Sequence, residues 1–173
     1  MKRIQEEVAH MPREKGLEVS VESGRFIDDE TCEGMRYSPQ IVVGNLRAPF
    51  LAVVMAQIDV PQGTFSHWLL WNVEKMEVIP RNLPKAEEFD RPIRGRQGRN
   101  SYGDIGYTAP CPTKGDRGRY RFQVFGINEP LDLPGGSTGR DLERALEGHV
   151  LQYGETVLVY QRPPPENVLG EAP

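Results

Sequence analysis

The sequence predicts a mainly β fold with peripheral helices, and three observations carry that prediction. Six or more runs of strand length are either alternating or continuously apolar, and most of them read as antiparallel. Only one segment, near the C-terminus, shows a firm helical stripe. The connections are rich in Gly and Pro, of which the 173-residue chain holds 18 and 15. This length most simply makes one domain with short appendages.

Residues 2–11 set Ile4, Val8 and Met11 at helical spacing and stop before Pro12, so 1–16 is expected as a helical appendage to a domain over 17–162. Residues 17–22 alternate apolar and polar, the period of a half-buried strand. The polar stretch 26–37 reads as irregular, and 40–43, after Pro39, as a second strand. Residues 50–56 are continuously apolar and β-branched in the middle, as a central strand is. Polar residues and Pro61 end that strand; a turn at 62–65 leads to the second apolar run, 67–73, giving an antiparallel pair.

Three prolines and many charges make 74–97 a long surface excursion. Further on, 120–127 is a strand. Ser137 or Thr138 can cap a helix whose stripe is Leu142, Ala145, Leu146 and Val150, and 155–162 is the last strand. Pro163, Pro164 and Pro165 stop it, and 163–173 is expected as a mobile tail.

The most informative stretch is 98–120. It is too dense in Gly and Pro for helix or strand, yet its tyrosines and prolines are costly to leave unpacked. Structureless loops beyond about 12–15 residues tend to be functional or disordered. An ordered binding loop is the expectation.

Composition excludes several classes. A net charge of −4 gives no nucleic-acid footprint, and the run Arg91, Arg94, Arg96, Arg99 reads as a solvated loop. The first residues carry carboxylates where a signal peptide needs an apolar core, and no apolar stretch is long enough to span a bilayer; a cytoplasmic location is expected. Cys32 and Cys111 are too few for a disulfide framework and too far apart for a metal knuckle. A packed thiol is favoured at Cys111, and the even count leaves a Cys32–Cys111 bridge open. His10 and His149 have no metal-ligand spacing, and no metal or other cofactor is expected. Ser66 or Ser101 with His67 and Asp59 could be imagined as a triad. There is no nucleophile elbow, and a serine next to its histidine is poorly placed, so catalysis is not expected.

Polar groups recur where strands end: Asp59, His67 and Tyr120. An imidazole, a phenol and a glycine-rich run of backbone N–H groups suit one task, holding a small anion. Arg119 is expected to brace the loop through Asp104 or Asp116, and Tyr120 to face a pocket.

Six blocks then occur in register: 31–34 with Ser38-Pro39, Asp59-Val60-Pro61, His67-Trp68, 98–103, Gly106-Tyr107 with Pro110-Cys111-Pro112, and Arg119-Tyr120. In their order and spacing the chain resembles the phosphatidylethanolamine-binding protein family, in its bacterial and archaeal Raf-kinase-inhibitor-like branch, over roughly 17–162. The resemblance implies a large central antiparallel sheet packed on a smaller one, a C-terminal helix, and a non-hydrolytic anion pocket at one end of the sheet. His67 matches the pocket histidine and Tyr120 the phosphate-contacting tyrosine. Asp59 and Pro61 match the second aspartate and the proline of the Asp-Pro-Asp-Ala-Pro block, while Tyr107, Ala109, Cys111 and Pro112 fall in the wall of the pocket. Four positions depart from the pattern. Gln57 replaces the first aspartate, Gly118 a second histidine, Ala109 a glycine and Thr113 a proline. The ligand implied is phosphate or a phosphorylated headgroup; a serine protease or a kinase is the protein partner that the family permits.

Overall fold

Two antiparallel sheets organise the chain and divide its core in two. The computed structural model describes residues 2–22 and 24–166, without the side chains of 2 and 3. The large sheet has six strands: β3 (Phe50–Val60), β4 (Gly63–Glu74), β6 (Glu88–Phe89), β7 (Gly95–Gln97), β8 (Arg117–Ile127) and β9 (Val150–Gln161), in the order β6-β7-β4-β3-β8-β9. The small sheet is β1 (Glu18–Val21), β2 (Ile41–Gly44) and β5 (Val78–Ile79), in the order β1-β2-β5. Helix α1 (Lys2–Ala9) opens the chain, and α2 (Gly139–Leu146) precedes β9.

The central strand β3 is covered on both faces, as its continuous apolar run requires. On the inner face Val53, Met55, Trp68, Phe122 and Val124 meet Val21, Ile41 and Ile79 of the small sheet. On the outer face Ala52, Leu69, Trp71 and Phe125 meet Leu142 and Leu146 of α2 and Ile4 of α1. Trp68 and Trp71 thus serve opposite cores, each wholly buried. Truncating either to Ala would cost about 3–5 kcal/mol.

Several segments differ from the sequence reading. The 74–97 excursion carries β5, β6 and β7, and β7 pairs with β4 in the large sheet. These strands are two or three residues long, below the length at which a hydrophobic period becomes visible. Val150 belongs to β9, because α2 ends at Leu146 and the chain turns through Gly148 at φ +79°. The N-terminal helix seats Ile4 in the outer core. Of the tail expected to be mobile, 167–173 lie outside the described residues.

One irregularity positions the site. Met55 pairs with Trp68 and Ala56 with Ser66, so His67 is the extra residue of a β-bulge. Bulges re-aim side chains. This one turns His67 toward Tyr120 of the inner core, while Ser66 lines the outer face.

Candidate functional site

His67 is wholly buried where β3 ends and β4 and β8 begin. Its Nδ1 lies 2.7 Å from the carbonyl oxygen of Thr108. A carbonyl can only accept, so Nδ1 carries the hydrogen and the neutral ring offers Nε2 as a bare lone pair. That Nε2 is shut from solvent and meets no hydrogen-bond partner among the described residues. Buried polar atoms are nearly always satisfied, so this Nε2 is the ring atom with capacity for a further hydrogen bond. Burial lowers the His67 pKa, and the bond to Thr108 opposes that only in part.

Aromatic rings surround the imidazole. Tyr120 and Tyr102 meet it edge-on at 5.3 and 5.1 Å between centroids, and Phe65 packs on Tyr102 at 4.8 Å. Tyr102 is the half-exposed member, so its ring has room to turn aside. Tyr120 is only 1% exposed and packs on Phe26, which corrects the expectation that it faces an open pocket. The alternation of β8 sends it inward with Phe122 and Val124.

Beside this cluster, Gln57 pairs in register with Tyr120, and its amide nitrogen donates to Asp59 Oδ1 at 3.2 Å. The same oxygen accepts the backbone N–H of Arg119 at 3.0 Å. Burial pushes the Asp59 pKa up, but these two donors, its own backbone N–H and the Arg119 charge together outweigh it, and the carboxyl titrates below its ordinary value. Arg119 therefore engages the site through its main chain, not as a brace to Asp104 or Asp116. Asp104 instead accepts from the Thr108 hydroxyl.

The loop before β8 is ordered by side chains that sequence reasoning passed over. Asn100, buried, donates to the carbonyls of His67 and Gly106 and to the Thr108 hydroxyl, and accepts from the amides of Tyr102 and Asp104. Its only signal was a place in a glycine-rich block. Gln97 joins Trp68 Nε1 to the carbonyls of Pro84 and Ala86. Gly98 passes so close to Ser137 that a Cβ would stand 2.4 Å from its carbonyl oxygen.

The far end of the loop is clamped covalently. Cys32 and Cys111 form a disulfide, correcting the preference for a packed thiol; a separation of 79 positions in sequence hid the contact. Arg162 reinforces it, reaching Glu33 at 2.6 Å and the Pro112 carbonyl at 3.1 Å. Most loop N–H groups are spent internally, but those of Ala109 and Cys111 donate to no described residue.

The other candidates lie apart from His67. Tyr107 gives its hydroxyl to the Glu30 carbonyl at 2.6 Å and its ring to Trp68, and is core. Pro61 occupies the exposed turn between β3 and β4. Ser66 hydrogen-bonds Ser101 at 2.9 Å on the opposite side of the sheet from the imidazole. The structure thus assembles His67, Tyr120, Gln57, Asp59 and the Thr108 carbonyl, and adds Tyr102.

The sequence profile described as phosphatidylethanolamine-binding protein matches residues 18–161. A UPF0098 protein of Pyrococcus horikoshii is 42% identical over 135 residues, 76% of this chain and 68% of that one. A UPF0098 protein of Pyrococcus abyssi is 39% identical over 156 residues, 85% and 88% of the two chains. Among solved structures, a phosphatidylethanolamine-binding protein homolog from Chlamydia trachomatis superposes with TM-score 0.74 at 24% identity, over 86% of this chain and 99% of the other. E. coli YbcL gives 0.73 at 22%, over 84% and 98%. No helix among the described residues is long and apolar enough to cross a membrane.

Proposed function

The chain belongs to the phosphatidylethanolamine-binding protein family, and on that premise we propose that it binds a small oxyanion, phosphate or a phosphorylated headgroup, without catalysis. The observation that carries this is the orphaned Nε2 of His67. Protonated, the ring keeps its Thr108 bond and turns Nε2 into a charged donor, which an oxyanion satisfies. The free N–H groups of Ala109 and Cys111 supply further donors, in the manner of a backbone nest. Tyr102 must move for the anion to enter, since Nε2 is otherwise closed off.

The surroundings support binding over chemistry. Rings, not hydroxyls or carboxylates, pack on the imidazole, and Asp59 is spent on Gln57 and Arg119. With Gln57 in place of a carboxylate, less negative charge stands at the site to attract an ammonium group. Phosphate itself should therefore compete well with phosphoethanolamine. An amide titration with inorganic phosphate tests this: shifts centred on His67, Ala109 and Cys111 are expected, and lost in His67→Gln. Saturation without shifts at those residues would overturn the reading.

A further inference from the structure

The opposite face of the large sheet carries a cavity that the His67 site does not use. It lies between the sheet and the two helices and holds about 480 Å³, a size suited to a small organic ligand. Its lining is mostly apolar, with Val54, Leu69 and Phe125 from the sheet and Ile4, Leu142 and Leu146 from the helices. Into this apolar chamber β8 places Arg121. The Nε and Nη2 atoms of Arg121 are shut from solvent and have no hydrogen-bond partner among the described residues.

Two donors of this half-buried guanidinium are therefore open on the cavity side. A guanidinium stays charged at any pH a protein survives, and its Nε–H and Nη2–H, shut from water with no acceptor, lose hydrogen bonds that a ligand's oxygens would restore. The carboxylate of Glu143 lines the same cavity without meeting either nitrogen. Glu155 accepts the Tyr153 hydroxyl, which in turn accepts from Gln123. The open edge is also specific. Nε and Nη2 form one side of the guanidinium fork, and Arg81 uses those same two nitrogens, at 2.9 and 2.7 Å, to hold the carboxylate of Glu22.

We propose that this cavity binds a small amphipathic carboxylate, its head on the Nε–Nη2 edge of Arg121 and its apolar tail against Leu69, Phe125, Leu142 and Leu146. A carboxylate matches the two parallel N–H groups in a way that a neutral head cannot. Two further cations, Arg99 and Arg140, line the same cavity and favour an anion over a zwitterion. The site is independent of the His67 site, because β8 sends Tyr120 and Arg121 to opposite faces.

Titration calorimetry with sodium octanoate, octanol, octyl phosphate and acetate on the whole chain tests the proposal. Octanoate should bind saturably at one site, more tightly than octanol, octyl phosphate or acetate. Arg121→Gln should weaken it about tenfold or more, the worth of a charged hydrogen bond, and His67→Gln should leave it unchanged. Should Arg121→Gln fail to fold, the Arg121 Nε–H resonance of the wild type still decides, since it must shift as octanoate is added. Absent saturation, equal binding of octanol, tighter binding of octyl phosphate, or an unmoved Arg121 resonance would each overturn it. Loss of phosphate binding at His67 with octanoate binding intact would count against the anion site alone.

Discussion

A Cβ on Gly118 would stand 2.8 Å from the amide nitrogen of Gln57 and 2.8 Å from the hydroxyl of Tyr120. Positions 57 and 118 are therefore one packing feature. The Gln57 amide, held by Asp59, and the Tyr120 hydroxyl fill the space that a side chain at 118 would need. Gly118→His should overpack the site and cost about 1–3 kcal/mol. Pairing it with Gln57→Ala should recover part of that loss, a coupling of about 0.5 kcal/mol or more in a double-mutant cycle read by urea unfolding. Strict additivity would show that the two positions do not share the space.

The disulfide gives a second prediction. Replacing Cys32 and Cys111 by Ser should lower stability by about 2–4 kcal/mol, as expected for a bridge that closes a long loop. It should also loosen the 108–111 backbone, so phosphate binding should weaken along with stability. Phosphate affinity unchanged in the folded double variant would separate the clamp from the site. The bridge also bears on location. Disulfides persist in oxidising compartments and in the cytoplasm of hyperthermophiles, but rarely in other cytoplasms.

Glu30 supplies a pH signature. It is wholly buried, with Oε1 accepting the Ile27 amide, and burial, with the nearby Glu22 carboxylate adding to it, pushes its pKa up to about 7. The folded state thus holds a proton that the unfolded state has released, and Glu30 removes stability as pH rises from about 4.5 to about 7. The full effect is about 3 kcal/mol at most. His67 acts in the opposite sense, because its lowered pKa makes the fold gain stability as pH rises toward 6.5. Comparing Glu30→Gln with the wild type cancels the histidine. The variant should gain relative stability from pH 5 to 7.5 in urea melts, and a constant difference would refute the assignment.

Much of this architecture was legible in the chain. The apolar runs at 50–56 and 67–73 gave β3 and β4, and the alternation at 17–22 gave β1, because their periods follow from which faces are buried. Strands β5 to β7 were not, since two or three residues show no period. At the site, His67 and its neighbours were identifiable by block and spacing. The inward turn of Tyr120, the bulge that aims His67, the Asn100 hub and the Cys32–Cys111 bridge were not, because each depends on register or on contacts between distant segments.

Tyr102 offers a test of access. Its half-exposed ring leans on His67, so Tyr102→Ala should open Nε2 to water and raise the His67 pKa toward the ordinary value. Association with phosphate should quicken. A His67 titration identical to the wild type by NMR would show that Tyr102 does not close the site.

The central claim is that His67 becomes a charged donor when an oxyanion arrives. Sulfate tests this most directly, because unlike phosphate it brings no proton of its own near neutral pH. Burial keeps the free imidazole neutral at pH 7, so calorimetry in buffers of different ionisation enthalpy should record uptake approaching one proton per sulfate bound. Affinity should then weaken by about tenfold per pH unit as pH rises above the bound-state pKa of His67. Sulfate binding with no proton uptake, or undiminished in His67→Gln, would contradict the account.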